Sequence, residues 1–430
     1  MSCQNGLSAE LLESLVKQTE ADIAPVFSRI DAIASVNTER VMNAFANHRV
    51  SEAHFMATTG YGYDDNGRMT LDAVFAEALC APAALVRPHF MNGTHAIACA
   101  LYGVLRAGDT LLCATGLPYD TLRPVLFDQG GGSLKDYGVQ TAVTEFCESD
   151  DSYDPIRHAE RLEKDCQELH PRAALLQRSR GYSLRPALSV DALETLAARI
   201  KRVSPETIVI LDNCYGEFTE SKEPDTFGNF DLICGSLIKN PGGGLAPTGG
   251  YVAGKAEWVE CAACRLGVPG IGSETGSNPD GYRLYYQGLF LAPHTVAQAL
   301  KTAVFAARLF ELCGYTTSPA YDAPRSDIIQ AITFGAPEPM LQMMRGIQAG
   351  APIDSYVTPE PWAMPGYADS VLMAAGAFIQ GASIELSADG PYKAPYTAFL
   401  QGGLTYESGR LGILRALREI CQQKTDATGA

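Results

Sequence analysis

The chain has 430 residues, 46% of them hydrophobic and 19% charged, a balance that suits a globular protein with more than one core. Its formal net charge of −16 excludes a phosphate-backbone binder and a polybasic membrane anchor, since both need clustered Lys and Arg. The twelve cysteines are scattered, Cys80, Cys99, Cys113, Cys147 and Cys166 among them, mostly in apolar runs where a thiol packs as a small hydrophobe. A reduced, cytoplasmic protein is therefore expected.

The opening stretch MSCQNGLSAELLES has no basic or apolar leader segment, and no run approaches the roughly 20 apolar residues that span a bilayer. Residues 8 to about 48 read as helices, with Leu11, Leu12, Leu15, Val16, Ile23, Val26, Phe27 and Ile30 at helical spacing and Ser8 as N-cap. The glycine-rich TTGYGYDDNGR is then a loop.

From about residue 70 to 255 helices alternate with short strands. ALVRPHF precedes the helix THAIACALYGVLRAG, and DTLLCAT is a further strand. RAALLQ follows the helix PIRHAERLEKDCQELH, TIVILDN follows SVDALETLAARIKRV, and DLICGSLIK comes after a loop. This alternation predicts an α/β fold with a mainly parallel sheet covered on both faces, its ligands at the carboxyl ends of the strands. LAPHTVAQALKTAVFAARLFELC reads as one helix ending at Gly314, and the proline-richer remainder carries shorter strands such as DIIQAITF and GASIELS. The expected organisation is a helical arm over 1–60, a large domain over 61–295 and a smaller C-terminal α/β domain over 296–430.

Three places carry chemistry. Asp212 ends the apolar run TIVILDN, where a carboxylate is either a turn residue or the partner of a ligand cation. Lys239 follows DLICGSLI, with Ser236 three positions earlier; alone, such a lysine reads equally as solvated surface. Gly93 and Thr94 open an apolar helix whose free N–H groups and dipole suit a phosphate. Together these are the parts of a pyridoxal phosphate site: a lysine for the covalent link, a carboxylate for the pyridine nitrogen, and a phosphate cradle. A dry pocket is expected to lower the lysine pKa. GGGLAPTGG does not fit G-x-G-x-x-G, and no G-x-x-x-x-G-K-[ST] exists, so the glycines after Lys239 are read as room beside a bulky cofactor or as a hairpin. The pair Cys261 and Cys264 lacks a second ligand pair at zinc spacing, so no metal is expected.

In their order, TTGYGYDDNGR, NGTHAI, TGLPYDTL, QRSRGYS, LDNCYGEF, GSLIKNPGGG, GIGSETG, YQGLFLAPH, RSDIIQ and QGGLTYES resemble one family over residues 10 to 420. It is the methionine γ-lyase-like, "aluminium resistance" family of pyridoxal-phosphate enzymes, relatives of the cystathionine lyases with the fold type I aminotransferase architecture. The resemblance implies that Lys239 links the cofactor and Asp212 holds its ring nitrogen. It also implies that Ser236, Gly93 and Thr94 hold the phosphate, and that Tyr119 stacks on the ring and protonates a leaving thiolate. A packed aromatic beside Pro118 is the plainer account of Tyr119. Tyr61, Tyr63 and Arg68 resemble a segment that reaches a neighbouring subunit's phosphate, which implies a homo-oligomer, a dimer or tetramer. Arg325 and Lys393 are expected at the substrate carboxylate.

The activity so implied is carbon–sulfur cleavage of a small sulfur-containing amino acid by β- or γ-elimination, with no nucleic-acid or membrane partner. Transamination or γ-replacement on the same scaffold is the alternative, and a cofactor-binding regulator without turnover is the non-enzymatic one.

Overall fold

The structure is a computed structural model that describes residues 8–146, 148–149, 152–363 and 369–427; Cys147 and the first seven residues lie outside them. Helix α1 (Ala9–Asn47) starts where Ser8 Oγ accepts the N–H of Leu11 at 3.2 Å. It buries Leu12, Leu15, Val16, Ile23, Val26 and Ile30. The glycine-rich loop follows, and α2 (Asn66–Ala78) begins after Asp65, whose carboxylate accepts the Arg68 N–H at 3.0 Å.

The next segment runs β1 (Ala83–Arg87), α3 (Gly93–Val104), β2 (Thr110–Cys113), α4 (Arg123–Phe127) and β3 (Gln140–Val143). The two-residue strands β4 (Glu148–Ser149) and β5 (Ser152–Tyr153) lead to α5 (Pro155–Leu169), β6 (Ala173–Gln177), α6 (Val190–Val203) and β7 (Ile208–Asp212). Then come β8 (Leu232–Ser236), β9 (Gly250–Gly254) and α7 (Ala256–Leu266). Seven of these strands form one sheet in the order β1-β9-β8-β7-β6-β2-β3, parallel except for β9, which is antiparallel to both β1 and β8. Every residue of β6, β7 and β8 is buried. Alternate residues serve opposite faces: Val209 and Leu211 join one apolar cluster, Ile208 and Ile210 the other. Burying each such side chain stabilises the fold by about 1.5–3 kcal/mol, so helices must cover both faces.

The long helix α8 (Arg283–Leu312) leads to β10 (Thr316–Ser318), β11 (Gln330–Thr333), α9 (Pro337–Gly350), β12 (Val371–Ala375), β13 (Ser387–Pro391), β14 (Thr397–Gln401) and α10 (Tyr406–Ala427). The five strands form an antiparallel sheet in the order β10-β11-β14-β13-β12. Gly314, with φ +88°, follows the end of α8. The helix starts earlier than the sequence pattern suggested, because Tyr285, Tyr286 and Leu289 extend its buried stripe, and the expected 295/296 boundary falls inside it. GASIELS is a strand only from Ser387 onward: the Glu385 carboxylate accepts the N–H groups of Phe378 and Ile379, both at 2.9 Å, and curls the segment before it. No described helix is long and apolar enough to cross a membrane.

Candidate active site

Strands β7 and β8 lie side by side and point their carboxyl ends the same way, so Asp212 and Ser236 reach one edge of the sheet. Helix α3 starts beside them. A Cβ added to Gly93 would lie 3.2 Å from Ser236 Cβ and 3.1 Å from Cys214 Sγ, so a side chain there would fill the space. Thr94 Oγ1 lies 3.0 Å from Thr121 Oγ1. Ser236 is fully buried and its Oγ has no hydrogen-bond partner. A cradle with an unpaired hydroxyl, a helix N-terminus and a forced glycine fits a phosphate group.

Lys239 leaves β8 through a tight turn and shares a cavity of about 650 Å3 with Asp212, Ser236, Gly93, Thr94 and Tyr119. Its Nζ lies 3.9 Å from the centroid of the Tyr215 ring. Tyr215 has φ +71°, a left-handed conformation costly for a bulky residue, and that strain turns its ring beneath the lysine. Asp212 is buried; its Oδ1 accepts the Cys214 N–H at 3.1 Å. Burial raises the Asp212 pKa, and Lys239 partly offsets that rise.

The lysine departs from expectation. Burial opposes its charge, but Cys214, Tyr215, Asp212 and Glu217 together outweigh burial, so its pKa is raised rather than lowered. The acidic neighbours, which the sequence pattern did not place there, decide the sign.

The glycines after Lys239 also serve a different purpose. A Cβ on Gly242 would lie 1.7 Å from the Leu237 carbonyl oxygen, and one on Gly243 would lie 2.2 Å from the Gly288 carbonyl oxygen on α8. Gly242 lets the turn close on its own backbone, Gly243 lets it touch the backbone of α8, and neither lines the cavity.

The small sheet roofs the cavity. Cross-strand partners share a face, so Met373 and Asp389, and likewise Ala375, Ser387 and Gln401, point down into it. A second cavity of about 590 Å3 adjoins it, sharing Tyr119, Gln177 and Gly181, and carries Arg123, Arg180, Arg185 and Lys393. Tyr119 is fixed there by its N–H, which donates to Gln177 Oε1 at 2.8 Å.

The remaining expected residues scatter. Lys393 lines only the second cavity, paired with Asp369. Arg325 lines neither; its Nη2 donates to Gln330 Oε1 at 2.6 Å, at the base of β11. Arg68 is buried within its own chain, donating to the carbonyls of Gly62, Gly276 and Glu274. Tyr61 and Tyr63 stack on each other at 5.6 Å, are 70% and 58% exposed, and do not line this cavity. Sequence patterns gave no role to Tyr215, Gln177, Asp389 and Gln401, although LDNCYGEF, QRSRGYS and QGGLTYES contain the first, second and fourth of them. Among the described residues no group of three or more His, Cys, Asp or Glu could hold a metal ion.

The family model described as methionine gamma-lyase matches residues 12–421. The chain belongs to this family. It is 46% identical over 421 residues to the uncharacterized protein YnbB of Bacillus subtilis, covering 96% of this chain and 98% of that one. The crystal structure of a carbon–sulfur lyase involved in aluminum resistance from Clostridium novyi NT superposes with a TM-score of 0.90 at 46% identity, covering 97% of each chain. The pyridoxal-5'-phosphate-dependent protein YhfS of Escherichia coli shares the fold at a TM-score of 0.59 and 18% identity, covering 92% of this chain and 97% of that one.

Proposed function

We propose that this protein is a pyridoxal-phosphate-dependent carbon–sulfur lyase of the fold type I architecture, acting on a cysteine-, cystathionine- or methionine-like amino acid. The observation that carries this is the convergence of Lys239, Asp212 and the unpaired Ser236 hydroxyl in one cavity beside the start of α3. When bound, the cofactor supplies a carbonyl for covalent attachment and a sink for the electrons of a cleaved α-C–H bond.

The chain's own residues do the rest. Asp212 holds a proton-bearing nitrogen from the end of β7. Gly93, Thr94 and Ser236 hold the phosphate, and Tyr119 closes one wall. Lys239 Nζ, braced over Tyr215, is the nucleophile for attachment and then the base that takes the α-proton. The α-carboxylate is assigned to the second, cation-lined cavity, where Lys393 stands. The exposed Tyr61 and Tyr63 are assigned to the site of a neighbouring subunit in a homo-oligomer.

Two measurements test this. Purified protein supplied with pyridoxal phosphate is expected to be yellow and, given cystathionine, cysteine or methionine, to release a 2-oxo acid, ammonia and a thiol. Transfer of the amine to a keto acid without ammonia would instead make it an aminotransferase, and cofactor binding with no product would make it a regulator. Gly93→Ala is expected to crowd the cradle by about 1–3 kcal/mol, which is roughly 5- to 150-fold in cofactor Kd. An unchanged Kd in a fluorescence titration would remove Gly93 from the phosphate site.

A further inference from the structure

The roof of the cavity holds an ionisable group that the mechanism so far leaves idle. Asp389 sits on β13, between Met373 on β12 and Phe399 on β14, and lines the cavity with Lys239. Its neighbours come from several directions: Tyr182 from the loop after β6 hydrogen-bonds its carboxyl, and Gln401 Nε2 lies 3.5 Å from its Oδ2. Lys239 after β8 and Tyr215 after β7 both feel its charge. Two positions back on the same strand face, Ser387 is buried with an unpartnered Oγ and lines the same space. Met373 and Ala375 complete this part of the roof, giving an apolar slot in which Asp389 is the acidic group.

A substrate whose α-carbon lies within reach of Lys239 Nζ must place the rest of its side chain in this space. We propose that Asp389 is a catalytic acid that gives its proton to the departing sulfur, an assignment that rests on the lyase function proposed above. The balance is simple. For a β-sulfur substrate the carbon–sulfur bond breaks with its electron pair going to sulfur, while the electrons left by the α-proton form the new double bond between the α- and β-carbons. The Asp389 proton moves to sulfur, a neutral thiol leaves, and the carboxylate recovers its proton from water. Burial pushes the Asp389 pKa up to about 7, against the opposing pull of Tyr182, Lys239 and Gln401. A proton donor works best when its pKa lies near the working pH, so a carboxyl held there is suited to the task.

The test varies the leaving group. Asp389→Asn keeps the size of the side chain and an oxygen for Tyr182. With S-methylcysteine, whose thiolate needs a proton, the variant is expected to release thiol about 100-fold more slowly than wild type. With β-chloroalanine, whose chloride needs none, its loss is expected to be at least about 10-fold smaller, and the residual turnover shows that it is folded and loaded. The wild-type rate on S-methylcysteine should fall as pH rises through about 7, because the protonated form is the donor, and this limb should vanish in D389N. A readout independent of turnover is the infrared stretch of a protonated carboxyl. The wild-type-minus-D389N difference spectrum is expected to show one band that is lost as pH rises through about 7. The Glu217 carboxyl, also buried and pushed up to about 8, is common to both proteins and cancels.

Equal loss on β-chloroalanine and S-methylcysteine would overturn the proposal, as would normal thiol release by D389N. Leaving-group selectivity found in Tyr119→Phe but absent from D389N would transfer the role to Tyr119. If wild-type protein turns over β-chloroalanine but releases thiol from no sulfur substrate, the lyase function fails and this role falls with it.

Discussion

Replacing Lys239 by alanine is expected to abolish the visible absorption of bound pyridoxal phosphate and to lower thiol release at least about 10⁴-fold. The size of the loss follows from two roles on one atom. In the function proposed above, Lys239 Nζ, 3.9 Å from the Tyr215 ring centroid, is the attachment point for the cofactor and the base for the α-proton. Removing it also strands the buried Asp212, Glu217 and Asp389, whose carboxyls lose the cation that lowers their pKa. Their pKa values are therefore expected to rise further in Lys239→Ala. An added small amine such as methylamine is expected to restore part of the proton transfer without restoring the covalent link. If Lys239→Ala keeps the absorption and turns over substrate like wild type, the attachment point lies elsewhere.

Arg178→Met is expected to destabilise the fold by about 3–5 kcal/mol, because it removes a fully buried cation from a network that stays charged. Arg178 Nη1 donates to Asn213 Oδ1 at 2.8 Å, and Nη2 donates to Glu220 Oε1 at 2.8 Å. Nη1 also lies 3.9 Å from Glu223 Oε2, a carboxylate with no exposed side-chain surface. Burial already raises the Glu223 pKa, with Arg40 and Arg178 holding it down. Methionine keeps the inner part of the stem beside Gly216 and deletes the guanidinium, so the loss reports Asn213 and Glu220 losing their partner and Glu223 keeping only Arg40, 3.2 Å away. The backbone N–H of Arg178 donates to the Asp212 carbonyl at 3.1 Å, so the damage reaches the strand end that aims Asp212. Denaturant midpoints measure the effect, and adding Glu223→Gln is expected to recover part of it. A shift below about 1 kcal/mol would mean that the network is neutral to folding.

Much of the large sheet was legible before any coordinates. TIVILDN and DLICGS are short apolar runs without alternation, and such runs survive only where both faces are covered; β7 and β8 are buried throughout. Asp212 and Lys239 were legible for the same reason, as polar residues where those runs stop. Asp389 was not, because SADGP looks like any edge turn, and only pairing with β12 and β14 turns its side chain into the cavity. Tyr215 was hidden in another way, since its function depends on a positive φ that sequence patterns do not mark in a tyrosine. The glycines of NPGGG were visible but assigned to the wrong neighbour, as the spacing cannot tell a cofactor from a helix 288 residues into the chain.

By itself, then, the sequence determined the alternation of strands and helices, the net acidic charge, and the positions of the lysine and carboxylate, all set by local hydrophobic period and composition. Tertiary structure alone decided the direction in which the Lys239 pKa moves, the segregation of Arg123, Arg180, Arg185 and Lys393 into a second cavity, and the carboxyl in the roof. Those depend on which distant side chains share a low-dielectric space, and on the electrostatic sum over them, which no local pattern encodes.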